Sequence, residues 1–253
     1  MKIATFRFFL FLVIVFASCK TDKKESLQNN STPVENNGSE GSDIEIEDLQ
    51  SDKSEKKIKE NAQSRAESRP LDSINKDNAV LFLQKYGEEN RESIVLVKTR
   101  LGNMKIRLYE ETPLHRASFI FLSKMGYFDT TCFYRVVPDF IIQGGESERL
   151  DTQRYKARYE RYKIPPEFNK KLKHKYGAIA LARDWKDNPR KYSTAFEFYI
   201  VQNRKGAHHL DGEHTVFGEV ISGFETIDRI VQLEAGGDEW PLNDVFMKVE
   251  VVD

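Results

Sequence analysis

One arginine stands among apolar, β-prone residues. Phe133 to Glu146 reads FYRVVPDFIIQGGE, two β-prone stretches followed by a glutamine and a glycine pair. Beside Arg135 there is no serine, cysteine or carboxylate to serve as a nucleophile. A guanidinium is always charged and presents several N–H donors in one plane. Set among greasy residues, it could stabilise charge or a lone pair that develops in a bound molecule. It could equally pair with a carboxylate at a sheet edge. Elsewhere His208, His209, Asp211 and His214 gather imidazoles and a carboxylate within seven residues. These are zinc-ligand types, but their spacing matches no common zinc motif. Gly144-Gly145 is followed by neither the lysine nor the helix start of a phosphate-binding loop. Cys132 has no flanking base and reads as a buried structural thiol, with no second cysteine in the folded part to bridge to. Neither a metal nor a cofactor is expected.

These residues need elements to position them. Ser73 to Arg91 has Val80, Phe82, Leu83 and Tyr86 at near-helical spacing, with Gly87 as a stop, and predicts an amphipathic helix outside the main domain. Ile94–Thr99 and Asn103–Tyr109 predict a strand pair across Arg100-Leu101-Gly102. Thr112-Pro113 supplies an N-cap and a first-turn proline for a helix carrying Leu114, Ala117, Phe121, Leu122 and Met125 on one face, ended by Gly126. Short β runs follow at 133–137, 140–143, 178–182, 196–202, 215–220 and 245–252, with a second helix at 224–233. Many short strands and only two core helices predict a mostly β fold, a closed antiparallel barrel. Residues 147–175 are basic and tyrosine-rich, show no regular core period, and are expected to form a long surface excursion.

Composition divides the 253-residue chain. Residues 17–81 contain no aromatic side chain and are dense in Lys, Glu, Asp, Ser and Asn, too little apolar surface to offset the entropy of ordering. Residues 20–74 therefore read as a disordered tether, 75–92 as a helical extension and 93–253 as the folded domain. With 39 Lys plus Arg against 40 Asp plus Glu, no electrostatic footprint for nucleic acid is present. At the N-terminus, Lys2 and Arg7 precede the apolar run FFLFLVIVFAS and Cys19. A bilayer takes about 20 apolar residues to span, so residues 1–19 suit a signal peptide. Phe16-Ala17-Ser18-Cys19 resembles a bacterial lipobox, which implies acylation of Cys19 and a lipid-anchored protein of the cell envelope, periplasmic or surface-facing. The tether would then hold the domain about 40 Å from the membrane.

FYRVVPDFIIQGGE resembles the signature of the cyclophilin family of peptidyl-prolyl cis-trans isomerases. Three further blocks follow in family order: GAIALAR at 177–183, FEFYIVQ at 196–202 and HLDGEHTVFGEVISG at 209–223. The resemblance implies an eight-stranded cyclophilin-like barrel over 93–253, with two core helices and the extra N-terminal helix. Carried over residue by residue, it implies that Arg135 is the catalytic arginine and Gln143 the glutamine that bonds to substrate backbone. Phe140, Ile141, Tyr199 and Leu210 take the places of the proline pocket, with His214 at its rim. Ala182 and Arg183 fall where main-chain groups pair with the peptide. Tyr134, Glu197 and His209 stand on the same surface, where the family usually has histidine, glutamine and, in many eukaryotic members, tryptophan. That tryptophan helps hold cyclosporin, so His209 implies weaker binding of the inhibitor. Glu197 is expected to pair with Arg135 and orient it.

What the resemblance implies chemically is a monomeric catalyst of X-Pro isomerisation in exported proteins, taking proline-containing polypeptides as partners. No bond is broken and no proton moves: an apolar wall holds the ring while the arginine stabilises the twisted amide. The alternative is a proline-peptide binding or chaperone-like module with little turnover.

Overall fold

The computed structural model describes residues 73–252. Cys19, the signal segment and nearly all of the expected tether lie outside the described residues. Ile74, at the tether's expected end, is fully buried and belongs to the main core. In chain order the elements are α1 (Ala79–Glu89), β1 (Ile94–Thr99), β2 (Gly102–Leu108), α2 (Pro113–Lys124), β3 (Cys132–Val137), β4 (Ile141–Glu146) and α3 (Leu150–Arg158). There follow β5 (Lys163–Ile164), β6 (Ala178–Leu181), β7 (Ser193–Thr194), β8 (Phe198–Val201), β9 (Val216–Ser222), α4 (Phe224–Val231) and β10 (Val245–Val251). Eight strands close into a barrel in the order β1-β10-β3-β4-β8-β6-β9-β2, every neighbour antiparallel, while β5 and β7 form a separate two-stranded ribbon.

Side chains alternate across a strand, and here both faces of one quadrant are apolar. Ile142, Ile179, Leu181, Phe198 and Ile200 join the main core with Val95, Met104, Ile106, Phe217 and Met247. The intervening positions Ile141, Ala178, Ala180, Tyr199 and Val201 form a second cluster with Leu210 and Val216. Strands β4, β6 and β8 therefore carry an apolar patch on the outside of a barrel that is already full.

Helix α2 is buried on all sides from Leu114 to Ser123. Its N-terminus differs from expectation: Thr112 makes no side-chain cap. Glu167 caps it instead, its carboxylate accepting from the main-chain N–H groups of Leu114 and His115 at 3.0 Å each. A carboxylate there also complements the positive end of the helix dipole. Helix α1 lays Phe82 and Tyr86 against Phe121, ring centroids 5.1 and 5.3 Å apart. Gly87 does not stop α1; it lies inside it, where an added Cβ would sit 3.1 Å from that of Ala117. Its role is close helix approach, and Val80, expected on the packed face, is exposed.

The 147–175 segment is more than a surface excursion. It forms α3, whose inner face is Thr152, Lys156 and, just past the helix end, Tyr159, and then β5; Tyr159, Tyr162 and Ile164 enter the main core. Polar residues on the inward side of α3 conceal its helical period from a reading that counts apolar residues.

Candidate active site

A groove of about 370 Å³ lies on the outer apolar patch. Its floor and walls are Phe140, Ile141, Tyr199 and Leu210, and its polar side is Arg135 and Gln143. Ala182, Arg183, Glu197 and His214 also line it, as the sequence predicts, together with Asp184, Trp185 and Thr194, which sequence reasoning missed. Two predicted residues stand behind the lining. His209 is exposed and stacks on Phe140, centroids 5.4 Å apart, and Tyr134 supports Gln143 from the side.

Strand β3 carries a bulge between Phe133 and Arg135. Phe133 faces the barrel core opposite Gly144, while Arg135 lies opposite Gln143, so the extra residue, Tyr134, sits on the groove side with them. A bulge re-aims a side chain in this way. Gly145, at φ +99°, lets β4 pass the start of β8: an added Cβ would lie 2.1 Å from the Phe196 carbonyl oxygen. The glycine pair of the motif thus serves chain packing.

Arg135 does not pair with Glu197. Its Nε donates to Glu239 Oε2 at 2.6 Å, and its Nη1 lies 3.5 Å from Gln143 Oε1. Glu239 sits on the loop before β10 at φ +67°, and its carbonyl oxygen also accepts from the Val136 N–H at 2.9 Å. Glu197 instead accepts from the Tyr134 hydroxyl at 2.9 Å and pairs with Lys156 at 3.2 Å. The expectation failed because Lys156, from α3, is the nearer cation and Tyr134 intervenes. Nothing in the local sequence around Glu239 marks it.

Tyr199 turns its hydroxyl away from the groove. His174 Nε2 lies 3.0 Å from it, and His174 Nδ1 lies 2.8 Å from Asp211 Oδ1. A carboxylate only accepts, so Nδ1 carries the proton, Nε2 accepts, and Tyr199 donates. Burial lowers the His174 pKa and keeps the ring neutral, and burial lifts the Tyr199 hydroxyl well above its ordinary range. For Asp211, burial works upward but the bonds from His174 and His208 prevail and bring its pKa to about 2. The groove floor is therefore the ring of Tyr199 without its polar tip. His214 directs Nδ1 to the Leu181 carbonyl oxygen at 3.2 Å; burial brings its pKa down to about 4. Among the described residues no group of three or more His, Cys, Asp or Glu side chains is arranged to hold a metal ion.

Arg183 is folded against the wall, its guanidinium 4.1 Å from the Trp185 ring centroid and Nη2 2.8 Å from Glu213. Ala182 does not offer a free main-chain N–H: it donates to the Glu197 carbonyl oxygen at 2.8 Å, and its own carbonyl accepts from Thr194. Cys132 is buried, its thiol pushed up to about 12 chiefly by burial. His115 lies between Glu167 at 2.5 Å and Ser193 Oγ at 3.0 Å, the order of a nucleophile triad. His115 and Ser193 are enclosed, however, and the three side chains tie the β5–β7 ribbon to α2.

The model of the cyclophilin type peptidyl-prolyl cis-trans isomerase/CLD family matches residues 94–251, the whole barrel. The chain belongs to this family. The cyclophilin domain is 31% identical over 165 residues to peptidyl-prolyl cis-trans isomerase CYP18-2 of Arabidopsis thaliana, covering 63% of this chain and 93% of that protein. A Streptococcus pyogenes protein, whose name pairs a phosphatase with a peptidyl-prolyl cis-trans isomerase, is 29% identical over 206 residues; these cover 70% of this chain but 42% of its length. A Cryptosporidium parvum cyclophilin crystallised in the presence of the dipeptide Ala-Pro superposes with a TM-score of 0.54 at 26% identity, covering 63% of this chain and 99% of its own. Membership supports peptidyl-prolyl isomerase activity, and it accounts for an arginine set beside an apolar pocket.

Proposed function

We propose that the cyclophilin domain isomerises X-Pro bonds of exported proteins. The observation that carries this reading is the groove itself, in which an apolar floor and the donor face of Arg135 meet on one surface. Rotation about an X-Pro bond faces a barrier of about 20 kcal/mol because the amide loses resonance as it twists. As it twists, the nitrogen becomes pyramidal and regains a lone pair. Phe140, Ile141, the Tyr199 ring and Leu210 hold the pyrrolidine ring, while Arg135 donates to that lone pair and so favours the transition state over either ground state. Glu239 and Gln143 hold the guanidinium from two sides, so little reorganisation is left for the reaction step. Gln143 bonds to the substrate backbone, and main-chain pairing falls to Arg183, since the Ala182 N–H is engaged internally.

We further propose that Cys19 carries lipid and that the tether presents the domain from a bacterial membrane as a monomer. Two-dimensional NMR exchange on a short Ala-Pro peptide with the purified domain tests the catalytic reading: exchange cross-peaks at catalytic enzyme concentration are expected. Peptide shifts without exchange would replace it with the proline-binding module. For the anchor, the full chain should fractionate with membranes and Cys19→Ala should not; wild-type protein found wholly in the soluble fraction would remove the lipid.

A further inference from the structure

Lys156 is a buried lysine, 2% exposed, supplied by α3. Its ammonium meets two carboxylates, Glu146 at the end of β4 and Glu197 just before β8. Glu146 is further fixed by the Ser147 N–H and the Gln153 amide, each at 3.0 Å. From Glu197 the contacts continue toward the groove. The Tyr134 hydroxyl donates to Glu197 Oε2 at 2.9 Å, the Gln143 side-chain amide donates to the Tyr134 oxygen, and Gln143 Oε1 faces Arg135 Nη1 at 3.5 Å.

The direction of each bond follows from what each group can do. A carboxylate has no proton to give, so Tyr134 spends its single O–H on Glu197. Its oxygen is then left to accept, and the partner that reaches it must be the NH₂ end of Gln143. The carbonyl end of Gln143 consequently points at Arg135, acceptor toward donor. If Tyr134 were free to donate elsewhere, Gln143 could turn over and set its NH₂ against the guanidinium, donor against donor. Lys156 offsets the charge of Glu197, and because Glu146 reaches the same ammonium, its loss would leave two unpaired, partly buried carboxylates to repel each other.

We propose that Lys156 is a positioning residue: it anchors Glu197, and through Glu197 and Tyr134 it sets the orientation of the Gln143 amide beside Arg135. The inference rests on the isomerase reading above for its effect on rate. It gives the departures at Tyr134 and Glu197 a common cause, since a carboxylate at 197 is tolerable where α3 brings a lysine. It also gives the 147–175 segment a part in the site without contact to substrate.

Lys156→Met should lower kcat/KM on the order of 10-fold, less than the 10²–10³ of a removed transition-state donor. The loss should fall in kcat, with peptide affinity within about 2-fold, because the apolar floor is untouched. Adding Glu197→Gln should restore most of the rate: a neutral amide needs no lysine and still accepts from Tyr134. Tyr134→Phe, which keeps the ring packing, serves if Lys156→Met fails to fold. It should cost a similar factor, and the double variant should lose no more than either single change. The Gln143 side-chain amide protons, followed by ¹H–¹⁵N NMR, read the arrangement without turnover. They should be protected in wild type and in Lys156→Met/Glu197→Gln, and exposed in Lys156→Met and Tyr134→Phe. Protection unchanged by Lys156→Met, or additive losses with Tyr134→Phe, would overturn the proposal. A wild type without turnover but with this protection pattern would overturn the isomerase reading and leave the positioning role standing.

Discussion

The apolar and the polar halves of the groove are assembled differently. Phe140 and Ile141 stand at the start of β4, Tyr199 on β8 and Leu210 on the short 3-10 turn His208–Leu210, all supplied by the barrel and its immediate turns. They pack on one another over a strand register that a closed barrel requires anyway. In the polar half, Arg135 is oriented by Glu239, 104 residues further on, and Glu197 by Lys156, from a helix outside the barrel. Apolar contact is additive and tolerant of direction, so a patch suffices. Hydrogen bonds demand that each donor meet an acceptor, so the polar half draws partners from wherever the fold brings them.

If the halves are separable, substitutions in each should move different constants. Arg135→Ala should lower kcat by about 10²–10³-fold, by analogy with the removal of one oxyanion donor, with peptide affinity changed only a few-fold. Steady-state isomerisation and titration of the same peptide decide it. Equal losses in rate and affinity would mean that the arginine serves ground-state binding and that the division is false.

The division also explains what can be read from the chain itself. Strand alternation and ordered motif blocks expose the barrel and the apolar floor, because those depend on local period and on residues near in sequence. Arg135, Gln143, Tyr199 and Leu210 are legible for that reason. Lys156 is one of many lysines and arginines between 147 and 175, and Glu239 follows Gly236-Gly237-Asp238 with no pattern to mark it. Their importance lies in pairings across 41 and 104 residues, which only the closed fold defines. Trp185 is hidden differently: 65% exposed, it belongs to no core and announces itself only by lying over Arg183 and edge-on to His214.

A second test concerns the rim of the apolar half. His214 is 7% exposed and has a folded-state pKa of about 4, held down mainly by burial, against 6.5 when free. Above pH 6.5 both folded and unfolded chains leave it neutral and stability is unaffected. As pH falls from 6.5 toward 4, the unfolded chain takes up a proton that the folded one refuses, and stability is lost. By linkage this one ring removes up to about 3 kcal/mol by pH 4. Thermal melts between pH 7 and pH 4 should show the fall, and His214→Gln should flatten part of it. An equal fall in the variant would assign the acid sensitivity to other groups, His174 first among them.

Removing one wall of the pocket should do the reverse of removing the arginine. Burial of a phenylalanine side chain contributes about 1.5–3 kcal/mol, so Phe140→Ala should weaken peptide binding by roughly 10–100-fold. The rate at saturating peptide should change far less, since Arg135 and its supports keep their geometry. A fall confined to kcat would show that Phe140 acts on the twisted amide and that the two halves work as one.

The smallest expected effect lies at the outer edge of the apolar half. His209 is exposed and stacks on Phe140 with an interplanar angle of 27°, so it backs the pocket wall without lining the groove. An indole offers more apolar area at the same place, and differences in stacking or burial of this kind are worth about 1 kcal/mol. His209→Trp should therefore tighten cyclosporin by about 5- to 10-fold in a calorimetric titration while turnover of a short X-Pro peptide stays near wild type. The split is expected from reach: a large cyclic ligand would extend past Phe140 onto residue 209, whereas a single proline ring would end at Phe140. If both constants move together, His209 acts through the Phe140 ring, and the wall must be counted as two stacked layers. If neither moves, ligand contact stops at Phe140, and the imidazole at 209 is a solvent-side cover with no share in recognition.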